Sequence, residues 1–165
     1  MDYSHQPVMV REVMSYLAPA PGDVIVDCTL GGAGHSKVIA AMIGSEGLLI
    51  GIDRDPQALQ AASEALSNAP CRVNLVHGDY GDIESLLGKL GHPAPDGVLF
   101  DFGVSSHQLD EAQRGFTYRE DAPLDMRMDQ GVPLSAADIV NTASARDLET
   151  IISDYGEERW ARRIA

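Results

Sequence analysis

Between residues 24 and 101 the chain repeats one arrangement four times: a short, nearly unbroken apolar run with an aspartate at or just beyond its end. The runs are Val24-Ile25-Val26-Asp27-Cys28, Leu48-Leu49-Ile50-Gly51-Ile52-Asp53, Arg72-Val73-Asn74-Leu75-Val76-His77 followed by Asp79, and Gly97-Val98-Leu99-Phe100-Asp101. Between them lie stretches with helical periodicity, over residues 35–43, from Pro56 to Leu66, and over residues 83–90. Pro56 suits a first helical turn, where its missing N–H costs nothing. An apolar run with no polar alternation needs cover on both faces. Strands of that kind separated by helices predict an α/β fold, a doubly wound and mostly parallel sheet. Residues 8–17 read as an amphipathic helix ahead of the first strand.

Beyond Asp101 the rhythm stops. Residues 103–134 carry Gly, Pro, Ser and Asp at short intervals and predict a long ordered loop or lid. Short helices are expected over residues 135–141, over residues 145–155, and from residue 156 or 157 onward. The last has neither cap nor breaker before Ala165, as in a fragment of a longer chain. The division expected is residues 1–109 and residues 110–165.

A chain of 165 residues that is 44% hydrophobic and 22% charged reads as folded, and of a size for one core. It contains no apolar run of the roughly 20 residues that a spanning helix requires. Its start, MDYSHQPVMVREVM, has neither the basic opening nor the apolar stretch of a signal peptide, so the expected location is cytoplasmic. Cys28 and Cys71 lie in apolar runs and read as small buried hydrophobes, and no Cys/His spacing suggests a metal site. The formal net charge of −13 opposes any general affinity for nucleic acid. The local exception is Arg159-Trp160-Ala161-Arg162-Arg163.

In an open parallel sheet, ligands bind beyond the carboxyl ends of the strands, where the strand order reverses. Asp27, Asp53, Asp79 and Asp101 all belong to that end. So does the turn Gly31-Gly32-Ala33-Gly34, which lets backbone approach a ligand. Taken alone the turn also fits a tight strand-to-helix connection, and any one aspartate fits a helix cap; Asp55 before Pro56 reads as such a cap. A dinucleotide fingerprint beginning at Gly32 and Gly34 would need a small residue at position 37, which is Lys37. Four acidic strand ends also disfavour a pyrophosphate and suit S-adenosylmethionine, which carries a sulfonium and an ammonium. Asp53, 22 residues after Gly31, is spaced to accept hydrogen bonds from ribose hydroxyls. Tyr80 is placed to pack on an adenine ring.

The segment Asp101-Phe102-Gly103-Val104-Ser105-Ser106-His107-Gln108-Leu109-Asp110, with Arg114-Gly115-Phe116-Thr117-Tyr118 and Pro123-Leu124-Asp125-Met126-Arg127-Met128-Asp129, resembles the bacterial 16S ribosomal RNA cytosine N4-methyltransferase family. His5-Gln6-Pro7-Val8, the turn ending in His35, Asp53-Arg54-Asp55-Pro56 and Tyr155-Gly156-Glu157-Glu158-Arg159 match it in the same order. The resemblance implies a class I methyltransferase fold, Rossmann-like, with the beginning of an inserted helical substrate-recognition domain. It implies S-adenosylmethionine held by Ala33, Gly34 and His35 in the turn, Asp53 on the ribose, Tyr80 by the adenine, and Asp101 and Gln108 near the methionine end. It further implies 16S ribosomal RNA within the small ribosomal subunit as partner. Ala33 stands where the family usually has Gly, which a negative φ would accommodate. Phe102 replaces a usual Leu and Tyr80 a usual Phe, and family members are roughly twice as long.

The exocyclic amine of cytosine is a weak nucleophile because its lone pair is delocalised into the ring. A carboxylate that accepts hydrogen bonds from its N–H groups favours the geometry of attack, and Asp101 is the residue expected to do so. Anchoring the cofactor is an equally good role for it. Other readings stay open: a methyltransferase acting on a small molecule or a protein, a nicotinamide-dependent oxidoreductase, a non-catalytic cofactor-binding fragment, and association with another copy.

Overall fold

The computed structural model describes residues 7–165, so the His5-Gln6 part of the first motif lies outside the described residues. The chain separates into two compact units, Met1–His107 and Gln108–Ala165.

In the first unit four strands form one sheet: β1 (Val24–Asp27), β2 (Leu48–Asp53), β3 (Arg72–His77) and β4 (Gly97–Leu99). Their order is β3-β2-β1-β4 and every neighbouring pair is parallel. The chain winds outward from β1 to β3, then returns to lay β4 on the other side of β1. The order therefore reverses between β1 and β4, which fixes where a crevice opens. The expected doubly wound α/β sheet is what forms. β4 is shorter than predicted, ending at Leu99, so Asp101 stands on the loop two residues beyond the strand.

Helices α1 (Val10–Leu17), α2 (Gly34–Ile43), α3 (Pro56–Ala65) and α4 (Ile83–Leu90) cover the sheet. Period-two alternation divides the apolar runs between two cores. Ile25 and Leu49 face Ile39, Ala40 and Ile43 of α2, with Val13, Met14 and Leu17 of α1 packed alongside. Val26, Ile50 and Ile52 face Leu87 of α4 with Ile83, Leu86 and Leu90 around it. Each such fully buried aliphatic side chain contributes about 1.5–3 kcal/mol. β1 and β2 are buried on both faces. β3 lies at an edge, and its exposed Arg72, Asn74 and His77 interrupt the apolar run accordingly. Asp55 caps α3, accepting from the Gln57 N–H at 3.0 Å with Pro56 in the first turn.

A short helix α5 (Ser106–Asp110) leads into the second unit. There the long loop carries only one turn of 3₁₀ helix, Ala112–Arg114. The buried Arg114 reaches forward to the carbonyls of Arg127 and Met128 at 3.1 and 2.8 Å. Gly115 has φ +75°, and a Cβ there would lie 2.5 Å from the Asp125 nitrogen, so no other residue fits. Helices α6 (Ala136–Thr142) and α7 (Ala145–Asp154) start at Ser135 and Ser144, whose hydroxyls accept from the N–H groups of Asp138 and Asp147. The final helix differs from expectation. Residues 156–160 are non-helical, Glu157 takes φ +50°, and helix α8 spans only Ala161–Ile164.

Candidate functional site

The carboxyl ends of β1, β2 and β4 gather the acidic residues that the sequence singles out. Asp27 closes β1, pairs in register with Gly51 and Leu99, and is buried. Its carboxylate accepts from the Ser36 hydroxyl at 2.7 Å and from the Thr29 N–H at 3.1 Å. Burial raises its pKa above the ordinary carboxylate range, and these two hydrogen bonds offset part of that rise. The group ties the end of β1 to the first turn of α2.

Asp53 at the end of β2 faces the glycine turn. One carboxylate oxygen accepts from the Gly31 N–H at 2.9 Å and the other from the Asp55 N–H at 2.9 Å. Each oxygen keeps a second lone pair for a further donor. Burial raises this pKa too. Gly31 has φ +49° and Ala33 has φ +62°. The turn therefore uses left-handed backbone twice, and the negative φ expected of Ala33 is incorrect. The Ala33 methyl packs fully buried in the core beside Leu30 and Ile39, which holds a conformation that costs roughly 1–2 kcal/mol for a residue with a Cβ. Lys37 is exposed, clear of the helix–sheet contact.

His35, in the first turn of α2, is buried. Its Nε2 lies 2.9 Å from the Val8 carbonyl oxygen, which can only accept, so Nε2 carries the proton. Its Nδ1 lies 3.7 Å from an oxygen of Asp101. Asp101 is anchored through its main chain, donating its N–H to the Thr29 hydroxyl at 2.7 Å, while its carboxylate is 54% exposed. Pro7 packs on Gly34, where a Cβ would fall 2.9 Å from the proline ring. The segment before α1 therefore docks on the glycine turn through two neighbouring residues.

Asp79 plays a different part from its three counterparts. It caps the 3₁₀ turn Tyr80–Asp82 by accepting from the Gly81 N–H at 2.8 Å, and it is ion-paired with Arg54. The Arg54 guanidinium sits 5.5 Å from the centre of the Tyr80 ring. Tyr80 in turn meets Phe100 and Phe102 edge-on at 5.9 and 5.5 Å, and those two rings stack on each other at 5.4 Å. Phe102 is 70% exposed, unusual for an aromatic ring in a folded chain. Thr29, Ser36, Val8, Arg54 and Phe100 are thus parts of the strand-end cluster that sequence reasoning missed. Gln108, the first residue of the second unit, is buried on α5.

In the second unit Arg127 holds Asp125 with Nε and one terminal nitrogen, at 2.9 and 2.7 Å. The other terminal nitrogen donates to the carbonyls of Gln130 and Val132. The guanidinium thus commits four of its five N–H groups inside the loop, and it holds the Asp125 carboxyl down to about 2. Cys28 and Cys71 are both free thiols, and burial pushes Cys28 up to about 12. Among the described residues, no group of His, Cys, Asp and Glu has a metal-holding arrangement and no helix is long and apolar enough to cross a membrane.

Residues 2–165 match the MraW methylase family. The chain is 53% identical over 165 residues to the Ribosomal RNA small subunit methyltransferase H of Geobacter sulfurreducens, covering all of this chain and 53% of that protein. It is 51% identical over 165 residues to the protein of the same name from Clostridioides difficile, again covering all of this chain and 53% of that one. Among solved structures, NSun6 from Pyrococcus horikoshii with SFG overlaps 95% of this chain and 33% of its own at 22% identity, with a TM-score of 0.49. The chain spans about half the length of the curated relatives it matches. By a family match that runs over nearly its whole length, it belongs to the MraW methylase family.

Proposed function

We propose that this chain provides the S-adenosylmethionine-binding part of a methyltransferase that modifies the exocyclic N4 of a cytosine in 16S ribosomal RNA. One observation carries the reading: the strand order reverses between β1 and β4, and Asp27, Asp53, Asp101 and a twice left-handed turn converge on that point. Membership of a methylase family, and relatives named as small-subunit ribosomal RNA methyltransferases, supply the reaction and substrate class. The cytoplasm is where such a substrate would be met.

The residues fit the cofactor chemically. Asp53 has lone pairs left for ribose hydroxyls after serving Gly31 and Asp55. Tyr80 offers an aromatic surface for adenine, and the turn with left-handed Gly31 and Ala33 leads into Gly34 and His35, which with Ala33 are assigned to the cofactor. Gln108 is assigned to the same ligand. The carboxylates of Asp53 and of the half-exposed Asp101 suit a cation better than a phosphate. When bound, S-adenosylmethionine supplies an electrophilic methyl group on sulfur.

The chain's own contribution is positioning and charge. The Thr29 hydroxyl fixes the Asp101 main chain, and its carboxylate, turned to solvent, accepts hydrogen bonds from the exocyclic amine of a base presented to it. His35, held by the Val8 carbonyl, stands beside that carboxylate at 3.7 Å and bounds the space it can occupy. The base must be unpaired or turned out of its stack to reach it.

The test is calorimetric titration with S-adenosylmethionine, with NAD and an Asp53→Ala variant as controls. Saturable binding of S-adenosylmethionine alone, weakened in the variant, is expected. Binding of NAD in its place would overturn the reading.

A further inference from the structure

In a chain of net charge −13 with only 12 Lys and Arg, three arginines fall within five residues at Arg159, Arg162 and Arg163. The structure gathers two of them around the one tryptophan. The Arg159 and Arg163 guanidinium carbons both lie 5.3 Å from the centre of the Trp160 ring. Trp160 is 49% exposed although it is the largest apolar side chain in the protein. Ala161 is buried and seats α8 against α7, so its exposed neighbours are turned outward. Among the described residues, none of the three arginines enters an ion pair, even with Glu157 and Glu158 beside them in sequence. Glu158 is engaged otherwise, accepting from the Trp160 N–H at 2.7 Å.

This arrangement differs from a solvated helix face. Two guanidinium groups lie against one half-exposed indole while no ion pair compensates their charge. We infer that Arg159, Trp160 and Arg163 form a contact site for single-stranded RNA, the indole stacking on a base and the guanidinium groups meeting the adjoining phosphates. Unpaired bases stack readily on aromatic rings and on arginine planes, and phosphate is the natural partner of an unpaired guanidinium. Elsewhere the acidic surface repels RNA, which makes a local site the way such a chain engages one. An acidic protein surface or an anionic membrane would match the charge as well, but RNA is the substrate class of the reading above, and its bases offer the indole a stacking partner and its phosphates the guanidinium groups theirs. The inference rests on the ribosomal RNA reading above and adds where the second unit touches that substrate.

Because Trp160 is the single tryptophan, its fluorescence reports on this site alone. The experiment titrates the chain with a mixed-sequence single-stranded RNA, in parallel with inorganic polyphosphate and with phosphatidylserine vesicles. RNA is expected to change the Trp160 emission saturably. An R159Q/R163Q double variant, whose substitutions are exposed and leave the far-ultraviolet circular dichroism unchanged, should bind about tenfold or more weakly, as expected for removing two charge-assisted hydrogen bonds. Its salt dependence should be shallower by about 1.4 in log–log slope, at roughly 0.7 for each single-strand phosphate that is no longer neutralised. An emission change of equal size with polyphosphate or vesicles would overturn the inference, as would RNA binding detected by a labelled strand with no response from Trp160. Measuring S-adenosylmethionine binding on the same sample separates the failures: a chain that binds cofactor but shows no RNA response at Trp160 removes this site and leaves the proposed reaction standing.

Discussion

The Ser36 hydroxyl donates a 2.7 Å hydrogen bond to the buried Asp27 carboxylate, joining the last residue of β1 to the first turn of α2 across the glycine turn. Everything between them, including the strained Ala33, is held by that bond and by the grip of Asp53 on the Gly31 N–H. The order of the turn therefore depends on two carboxylates whose pKa values burial has raised.

We predict that Ser36→Ala destabilises the first unit by about 1–3 kcal/mol, because it leaves a buried carboxylate short of a partner. Asp27→Asn retains an acceptor for Ser36 and removes the titration. The sign follows from the raised pKa. Between the ordinary value of 3.8 and the raised one, the folded state binds more protons than the unfolded state, so the contribution of Asp27 to stability falls as pH rises through that window. Urea midpoints measured across acid pH should show this component in the wild type and not in Asp27→Asn. Parallel pH profiles for the two proteins would contradict it.

Ala33 gives a second test. Ala33→Gly relieves left-handed strain of about 1–2 kcal/mol but loses a buried methyl worth about 0.8 kcal/mol and adds unfolded-state entropy of about 0.5–1 kcal/mol. These nearly cancel, and thermal melting should move by less than about 1 kcal/mol in equivalent free energy. Ala33→Val puts a branched side chain at φ +62° in a filled core and should cost more than about 2 kcal/mol. If Ala33→Val melts like the wild type, the left-handed assignment at this residue is incorrect.

Asp53→Asn separates scaffold from ligand binding. The carboxylate accepts an N–H at each oxygen, and an amide can accept at only one, presenting a donor to the other. The variant should lose about 1–3 kcal/mol of stability without any cofactor present. It should also bind S-adenosylmethionine more weakly in calorimetry at a temperature where it remains folded. Undiminished binding would remove Asp53 from the cofactor site while leaving its role in the turn.

The strands and their acidic ends are legible in the sequence because a parallel strand covered on both faces must be an apolar run, against which a carboxylate at its end stands out. Asp27, Asp53 and Asp101 stand out for that reason. The partners of those residues are not legible. Ser36 lies nine residues from Asp27 and Thr29 lies 72 from Asp101, and no periodicity marks either pair. The apolar run alone makes Phe100 strand interior, whereas β4 ends at Leu99, and this hides the aromatic cluster with Tyr80 and Phe102. A negative φ is the natural expectation for Ala33 because an alanine ordinarily avoids the left-handed region; the packed core supplies what its own propensity opposes. At residues 156–160 good helix formers fail to make a helix. Glu157 is left-handed there, and a Cβ on Gly156 would lie 2.6 Å from the Ile152 carbonyl oxygen.

In the second unit, Arg127→Lys should behave almost like Arg127→Ala. A lysine keeps the charge but cannot reproduce a two-pronged grip on Asp125 together with bonds to two carbonyls. Asp125, held down to about 2, contributes stability above its ordinary value of 3.8 and loses it as pH falls toward 2. Limited proteolysis should cut residues 125–132 faster in both variants, and faster in the wild type once the pH drops through that window. Protection of the lysine variant equal to that of the wild type would show that charge alone orders the loop.

The assignment of Asp101 is tested most directly by separating binding from transfer. Its main chain is fixed by Thr29 whatever its side chain, so Asp101→Asn should leave the loop in place. An amide still accepts one hydrogen bond but carries no negative charge to stabilise the developing positive charge on the amine. In the chain extended to the length of its relatives, methyl transfer to small ribosomal subunits should fall by about 100-fold or more, the scale seen when one charge-stabilising group is removed from an active site. Affinity for S-adenosylmethionine, by calorimetry, should change only a few-fold. His35→Asn should lower transfer less, and adding it to Asp101→Asn should cost little more, because His35 acts only by bounding the space that carboxylate can occupy. A double variant that loses the product of the two separate effects would mean that His35 works independently of Asp101. An Asp101→Asn protein that transfers normally but binds cofactor poorly would make Asp101 an anchor for the cofactor and leave the amine to be held by the main chain of the loop.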